Sequence, residues 1–429
     1  MIPGFSKLSR EEKMDAVSLH CGLDDAERML LNRFLHPTNQ AVFDGFSENT
    51  LSNYFLPYGV APGFVVNGRE YVVPMVTEES SVVAAAAKGA AFWAQRGGFQ
   101  AQILNTVKVG QIIFTYNGSD EELRACLPEL KIILPRVTTA VTKAMQQRGG
   151  GITGMNFFPI PGVENTWQLR VEFQTVDSMG ANFINSCLEL MAPELCFILN
   201  QKGDVNKVAE ISMSILSNYT PDCLVECSVE CDVEELAGIA GNYSAGEFAQ
   251  RFEQAVKVAQ NDIYRAVTHN KGILNGIDAV ALATGNDFRA VEAGAHAYAA
   301  SHNGYRSLTE ISVNDRFHYT LRLPLALGTV GGLTRNHPLA ALSLRILQQP
   351  DARQLMQIVA SVGLSNNFMA ISSLITHGIQ RGHMKLHLTN ILQTLQATEN
   401  EKRVVLDYFQ HRTVSFTAVK EFIGQLRSI

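Results

Sequence analysis

Between residues 264 and 300 the chain is crowded with glycine and alanine and carries few charges. Helices bearing such small side chains bury enough surface only if a neighbour comes close. The stretch therefore predicts helices packed tightly through small residues, inside a sizeable core. The chain has the length for one: its 429 residues correspond to about two or three domains at roughly 150 residues each. A hydrophobic share of 46% with 18% charged residues excludes extensive disorder.

Lys plus Arg number 35 and Asp plus Glu 41, a formal charge of -6. No basic excess exists to neutralise a phosphate backbone, so no nucleic-acid partner is expected. Charge arrives early in Met1-Ile2-Pro3-Gly4-Phe5-Ser6-Lys7, and no apolar signal core follows. Apolar tracts such as residues 81–87 are broken by Lys88 and by glycines. None is expected to reach the roughly 20 residues of a membrane span, so no membrane partner is expected either. Seven scattered cysteines, an odd number, fit a reduced cytoplasm, and a cytoplasmic location is the expectation.

Local signals place elements along the chain. Ser9 followed by Glu12 is a capping-box pattern, and residues 119–122 start another helix. Residues 71–76 read as a strand; Glu78 and Glu79 then open an alanine-rich helix as first-turn acids. Residues 167–174 alternate apolar and polar without a break, which predicts a half-buried strand. Residues 177–182 lead into a long apolar helix to about 199, and residues 338–347 and 351–364 also read as helices. Strands on either side of two helices predict a compact α+β unit over roughly 106–218.

Several motifs carry competing readings. Gly149-Gly150-Gly151-Ile152-Thr153-Gly154 matches the dinucleotide-binding pattern, which needs a strand before it and a helix after it. Here a helix precedes and an extended segment follows, so the glycines read as a helix end. Cys223, Cys227 and Cys231 fall on one face of an alternating strand and lack the knuckle spacing of a zinc site, so no metal is expected. His383 and His387 share a helix face without the glutamate of a zinc protease motif. Lys271 is either a loop lysine or a desolvated cation able to polarise a carbonyl oxygen. Asp287 is a helix N-cap or something more, and Glu79 a first-turn acid or something more.

These segments together resemble bacterial, class II, 3-hydroxy-3-methylglutaryl-CoA reductase. The matching blocks run nearly end to end: Glu48-Asn49, residues 76–84, Asp177-Ser178-Met179-Gly180-Ala181-Asn182, residues 264–272, residues 284–298, residues 328–332 and residues 378–384. The resemblance implies an α+β fold. It has a large, mainly helical substrate-binding and dimerisation domain (1–105 and 219–378), an inserted small α+β, ferredoxin-like cofactor domain (106–218) and a C-terminal helical flap (379–429). It also implies a reaction: four-electron reduction of hydroxymethylglutaryl-CoA to mevalonate and CoA by two hydrides from NADPH or NADH, or the reverse. Catabolic oxidation of mevalonate with NAD is the alternative role.

Such chemistry needs an oxyanion stabiliser, a proton donor for oxygen and one for the leaving thiolate. By resemblance these are Lys271 for the oxyanion and Glu79 as acid and base. Asp287 links the two, and His383 serves the CoA thiolate. Ser81, Arg265 and Asn275 match positions that hold the hydroxymethylglutaryl group, and Asp177, Ser178, Met179, Gly180, Ala181 and Asn182 match the cofactor motif. The resemblance further implies at least a homodimer with the site at its interface. Two departures stand out: Ser178 replaces the usual alanine of the cofactor motif, and a basic residue that contacts CoA phosphate in some relatives is shifted, leaving Ser6 then Lys7. NADH-preferring relatives carry an aspartate in the helix before the triple glycine. Counting back places Thr142 there, beside Lys143 and with Arg148 at the helix end, which leans towards NADPH. Two rivals are a Rossmann dehydrogenase and a non-enzymatic protein that keeps the fold.

Overall fold

The computed structural model describes residues 2–202, 208–301, 304–376, 378, 388–409, 412 and 414–428. Helices and strands are mixed throughout. The chain enters through helices α1 (Arg10–Cys21), α2 (Asp25–Arg33) and α3 (Gln40–Asp44). The expected capping box starts α1: Ser9 accepts from the Glu12 N–H, and the Glu12 carboxylate accepts from the Ser9 N–H. Strands β1 (Tyr58–Val66) and β2 (Arg69–Val76) form an antiparallel hairpin, and α4 (Val82–Ala94) and β3 (Gln100–Ile103) follow.

One segment then forms a sheet of its own. Strand β4 (Lys108–Tyr116) is followed by α5 (Asp120–Val137), α6 (Thr139–Gln146), β5 (Gly151–Pro159), β6 (Thr166–Gln174), α7 (Ala181–Lys202) and β7 (Ala209–Ser217). The four strands pair antiparallel in the order β5-β6-β4-β7, a split arrangement of the β-α-β-β-α-β kind. Helix α5 starts where residues 119–122 predict, and Ser119 and Glu122 cap it reciprocally. The triple glycine does follow a helix and precede a strand, so that loop lacks the context of a dinucleotide motif.

The chain returns through β8 (Leu224–Asp232), α8 (Ala245–Asn261), α9 (Ile263–Ala283), α10 (Phe288–Ala300), β9 (Thr309–Val313) and β10 (Arg316–Pro324). Strands β3, β8, β10 and β9 form a second four-stranded sheet in that order. Cys223, Cys227 and Cys231 are all buried against the core, and burial pushes the Cys227 thiol up to about 12. Helices α11 (Leu333–Asn336), α12 (Pro338–Ile346) and α13 (Ala352–Thr376) come next, and two further helices span Glu399–Tyr408 and Phe416–Arg427.

The small-residue stretch forms α9 and α10, packed as expected. Helix α13 lies against both α9 and α4. Its buried polar side chains bond to their backbones: Ser365 Oγ donates to the Ala86 carbonyl at 3.0 Å, and Asn367 Nδ2 to the His269 carbonyl at 2.9 Å. A Cβ on Gly89 would sit 2.2 Å from Ser365 Oγ, so only glycine lets α4 come this close.

Three separate hydrophobic clusters result. One draws on residues 61–101 and 223–371, one on residues 112–209, and one on residues 388–423.

Two expectations need correction. Helices α7 and α13, at 22 and 25 residues with mean hydropathy of 1.2 and 1.5, do have the length and composition of a membrane span. Their apolar windows are 44% and 78% buried within the fold, and α13 is the central helix of the first cluster. The sequence reading missed them because serines and asparagines interrupt the apolar runs. Glu78 and Glu79 are not first-turn acids either: α4 begins at Val82, with Ser81 as its N-cap.

Candidate active site

Glu79 leaves the end of β2 on a short connection, its N–H donating to Thr77 Oγ1 at 3.1 Å. Ser81, two residues on, is held at φ 79 and ψ -17, a left-handed conformation disfavoured for a residue with a Cβ. Such strain concentrates where surrounding structure fixes a functional loop. The turn carries the Glu79 carboxylate to Lys271, whose ammonium donates to Glu79 Oε2 at 2.7 Å.

Lys271 is not a loop residue. It stands within α9, which Asp262 caps by accepting from the Arg265 N–H at 2.8 Å. Asn275, one turn on, shares its face. Both members of the pair are accessible, Lys271 58% and Glu79 39% exposed, so a substrate can reach them. Arg265 lies six residues before Lys271 and roughly 120° round the helix, on a different flank. It is half-buried, burial lowers its pKa while Tyr319 opposes the shift, and no carboxylate pairs with it among the described residues.

A cavity of about 430 Å³ gathers three loops. Ser178, Met179, Gly180, Ala181 and Asn182 form one wall, at the start of α7. Gly285, Asn286 and Asp287 form a second, and residues 328 and 330–334 a third. The walls interlock. Asn286 Nδ2 donates to the Gly328 carbonyl at 3.1 Å, and the Gly328 N–H donates to Asn286 Oδ1 at 2.8 Å. A Cβ at Gly328 would sit 2.4 Å from the Met179 nitrogen, so the cofactor-motif backbone lies directly on this glycine. Val141, Ala144, Met145 and Arg148 of the α6 region close the rim.

Asp287 caps α10, accepting from the Arg289 and Ala290 N–H groups and from Arg289 Nε at 3.1 Å. Burial pushes its pKa up, but the Arg289 side chain and the two N–H groups outweigh it and hold the carboxyl below the usual range. Asp287 therefore faces the cavity as an anion. Its bonds run to its own helix, and the expected link to Glu79 and Lys271 is not among them.

Other expected residues sit differently. Asp177 Oδ1 accepts from the Ala352 N–H at 3.0 Å, at the start of α13, while its carbonyl accepts from the Thr329 and Val330 N–H groups. It joins two walls from behind and does not line the cavity. Thr142 is fully buried, and its hydroxyl donates back to the Thr138 carbonyl at 3.1 Å. It does not line the cavity; Arg148, two turns along the same face as Val141 and Ala144, is a base on the rim. His383 and His387 lie outside the described residues. Asn286 is the residue that motif reading left unassigned, although it stands beside Asp287.

A family model described as hydroxymethylglutaryl-coenzyme A reductase matches residues 10–388. The chain is 35% identical to the 3-hydroxy-3-methylglutaryl-coenzyme A reductase of Archaeoglobus fulgidus, covering 100% of this chain and 95% of that protein. Among solved structures, it is similar to the class II 3-hydroxy-3-methylglutaryl-CoA reductase of Streptococcus pneumoniae bound to NADPH in open conformations. The TM-score is 0.72 at 34% identity, over 88% of this chain and 100% of that one. A second structure of the Streptococcus pneumoniae reductase covers 99% of this chain and 100% of its own, with a TM-score of 0.73 at 32% identity.

Proposed function

The chain belongs to the hydroxymethylglutaryl-coenzyme A reductase family, and on that premise we propose that Glu79, Lys271, Asp287 and His383 convert hydroxymethylglutaryl-CoA to mevalonate and CoA. The observation that carries this reading is the 2.7 Å bond between Lys271 and Glu79, residues 192 positions apart that meet in an accessible site. It sets an obligate donor beside a proton-exchanging carboxylate.

The cofactor is a reduced nicotinamide dinucleotide, which supplies a hydride in each of two steps. The cavity fits it: the glycine at 328 lets the motif backbone form an open wall, the N-terminal turn of the 22-residue helix α7 faces inward, and Arg148 offers a base at the rim. N–H groups at a helix start suit a pyrophosphate. A guanidinium suits a ribose phosphate, which supports NADPH over NADH. Asp177 ties the wall to α13 from outside the cavity.

Lys271 donates to the substrate oxygen that gathers negative charge, an interaction strongest when that charge is fullest. Glu79 passes a proton to or from the same oxygen. Asp287, held ionised at the cavity wall, is assigned the role of a carboxylate linking the cavity to the Glu79 and Lys271 pair once substrate is bound. Half-buried Arg265, with no described carboxylate partner, suits the free carboxylate of the hydroxymethylglutaryl group; Asn275 and Ser81 add polar contacts. His383 is assigned to the CoA thiolate. A cleft of about 340 Å³ lined by Ser6, Arg10, Lys13, Asp44, Glu48 and Asn49 offers Lys13 for CoA phosphate, with Arg10 beside it held at 3.4 Å by Asp44.

The three hydrophobic clusters support a division into a large domain (1–105 and 219–378), a ferredoxin-like cofactor domain (106–218) and a C-terminal flap (379–429). Leu19, Tyr54 and Tyr264 are 87%, 90% and 85% exposed in the single chain, which supports a homodimer that covers them. Seven free thiols suit a reducing cytoplasm. The test is a steady-state assay in both directions with both cofactors. Reduction of hydroxymethylglutaryl-CoA that exceeds mevalonate oxidation under matched conditions is the expected result. No turnover in either direction would overturn the reading.

A further inference from the structure

The first residue of β4 is a lysine in a place where lysines are rarely found. Lys108 is only 4% exposed, at the start of a strand in the middle of its sheet. Its ammonium donates to Thr175 Oγ1 at 2.6 Å and to the Ser178 carbonyl at 2.7 Å. The Thr175 hydroxyl donates to that same carbonyl at 2.6 Å, which closes a three-membered knot. Among the described residues no carboxylate pairs with this lysine. Burial pulls its pKa down, while Cys223 and Asp177 nearby act in the opposite direction. A buried charge without an ion-pair partner is costly to keep, so it persists where something depends on it.

What depends on it is the loop from Thr175 to Gly180. Two of its residues are left-handed: Val176 at φ 51 and Gly180 at φ 92. For glycine this is ordinary, but for a β-branched valine it is a true outlier. The loop does not take this shape by local preference. It is fastened by Lys108 at the Ser178 carbonyl, by Ala352 at the Asp177 carboxylate, and by Thr329 and Val330 at the Asp177 carbonyl. Ser178 through Asn182 then form the cavity wall.

We propose that Lys108 is a positioning residue for cofactor binding, a clamp that holds the 175–180 loop in its strained shape from inside the small sheet. The inference rests on the reading of that cavity as the dinucleotide site. Lys108 touches neither substrate nor cofactor; it acts through the backbone of Ser178.

The test is direct titration of purified enzyme with NADPH and NADH, with steady-state kinetics alongside. Lys108→Met keeps the length and the burial and removes the charge. It should weaken NADPH binding about tenfold to a hundredfold, the worth of a charge-assisted hydrogen bond. The KM for NADPH should rise in step, while kcat at saturating NADPH and the KM for hydroxymethylglutaryl-CoA stay close to wild type. Val176→Gly added to Lys108→Met should restore part of the affinity, since glycine takes the left-handed shape freely. Thr175→Val, which keeps the lysine but unties the knot, should shift affinity in the same direction by less, and serves if Lys108→Met does not fold. A Leu236→Ala control, in the other core, should lower Tm without moving the NADPH affinity. Unchanged NADPH affinity in folded Lys108→Met or in Thr175→Val, or an equal loss in the control, would overturn the clamp alone. A wild-type protein that bound neither dinucleotide would overturn the reading of the cavity and the clamp with it.

Discussion

Replacing Lys271 by alanine should separate catalysis from stability cleanly. Its bond to Glu79 is short at 2.7 Å, but the two side chains are 58% and 39% exposed. A pair so well hydrated contributes at most about 1 kcal/mol to folding. Lys271 also lies inside α9, where alanine is the best helix former, so a few tenths of a kcal/mol return. The melting temperature should therefore barely move. Turnover should not survive. Removing one preorganised oxyanion donor costs about 10²–10³ in kcat, or about 2.7–4 kcal/mol of transition-state stabilisation. The KM for NADPH should stay near its wild-type value, because Lys271 is not among the residues lining the cofactor cavity. The assay is the initial rate of NADPH oxidation by hydroxymethylglutaryl-CoA, with a thermal melt on the same preparation. A folded variant with near-wild-type turnover would refute the role of Lys271. A collapse of Tm would refute the claim that the pair is structurally dispensable.

Arg148→Glu should reverse the preference for NADPH over NADH in kcat/KM, because it sets a negative charge against the ribose phosphate; an unchanged ratio would remove Arg148 from that contact. Thr142→Asp, by contrast, should lower Tm, since it places a carboxylate where the side chain is fully buried; a stable variant with altered cofactor preference would show Thr142 to face the ribose. His383→Ala should impair reduction of the thioester more than reduction of free mevaldehyde, which has no thiolate to protonate; equal loss with both would point to a folding defect. Burial beside Glu292 raises the Asp278 carboxyl from its ordinary 3.8 to about 8. A folded-state pKa above the unfolded value means that stability is fully present below about pH 4 and falls as pH rises towards 8. Asp278→Asn cannot ionise, so its Tm should gain on wild type across that window; parallel Tm curves from pH 4 to 8 would count against a shared proton.

Features fixed by neighbours in sequence were legible in it. The reciprocal caps at Ser9 and Ser119 depend on a partner three residues away, and both are present. The alternation of residues 167–174 survives as β6, and the context of the triple glycine is as its neighbours imply. What escaped depends on distance or on helix phase. Asp177 meets its partner 175 residues further on, so a motif could suggest cofactor contact but not reveal a helix cap. Thr142 was reached by counting back from the glycines. Residues 141, 144, 145 and 148 turn to the cavity at helical spacing, which puts 142 roughly 110° round the helix, on a different flank. The start of α4 escaped because a left-handed serine is not written in composition. Only the fold shows that the acids at 78 and 79 precede the helix, and so leave Glu79 clear to reach Lys271.

The two halves of the site are held to different tolerances, and this decides how substitutions should read out. On the cofactor side, each loop is stitched to another by groups drawn from elsewhere in the chain: Asn286 to Gly328, Asp177 to Ala352, Lys108 to Ser178. Losing a stitch moves backbone, and backbone forms the wall, so damage should appear first as weaker cofactor binding. On the substrate side, Glu79 stands on the short connection after β2 and Lys271 within α9, and the bond between them is accessible and can be exchanged for bonds to a ligand. On the proposed reading, a substrate oxygen entering there would compete with Glu79 for one ammonium donor, and as negative charge grew on it the competition would turn in its favour and leave Glu79 free to exchange a proton. Changes to either member should therefore lower kcat far more than they alter the affinity for NADPH.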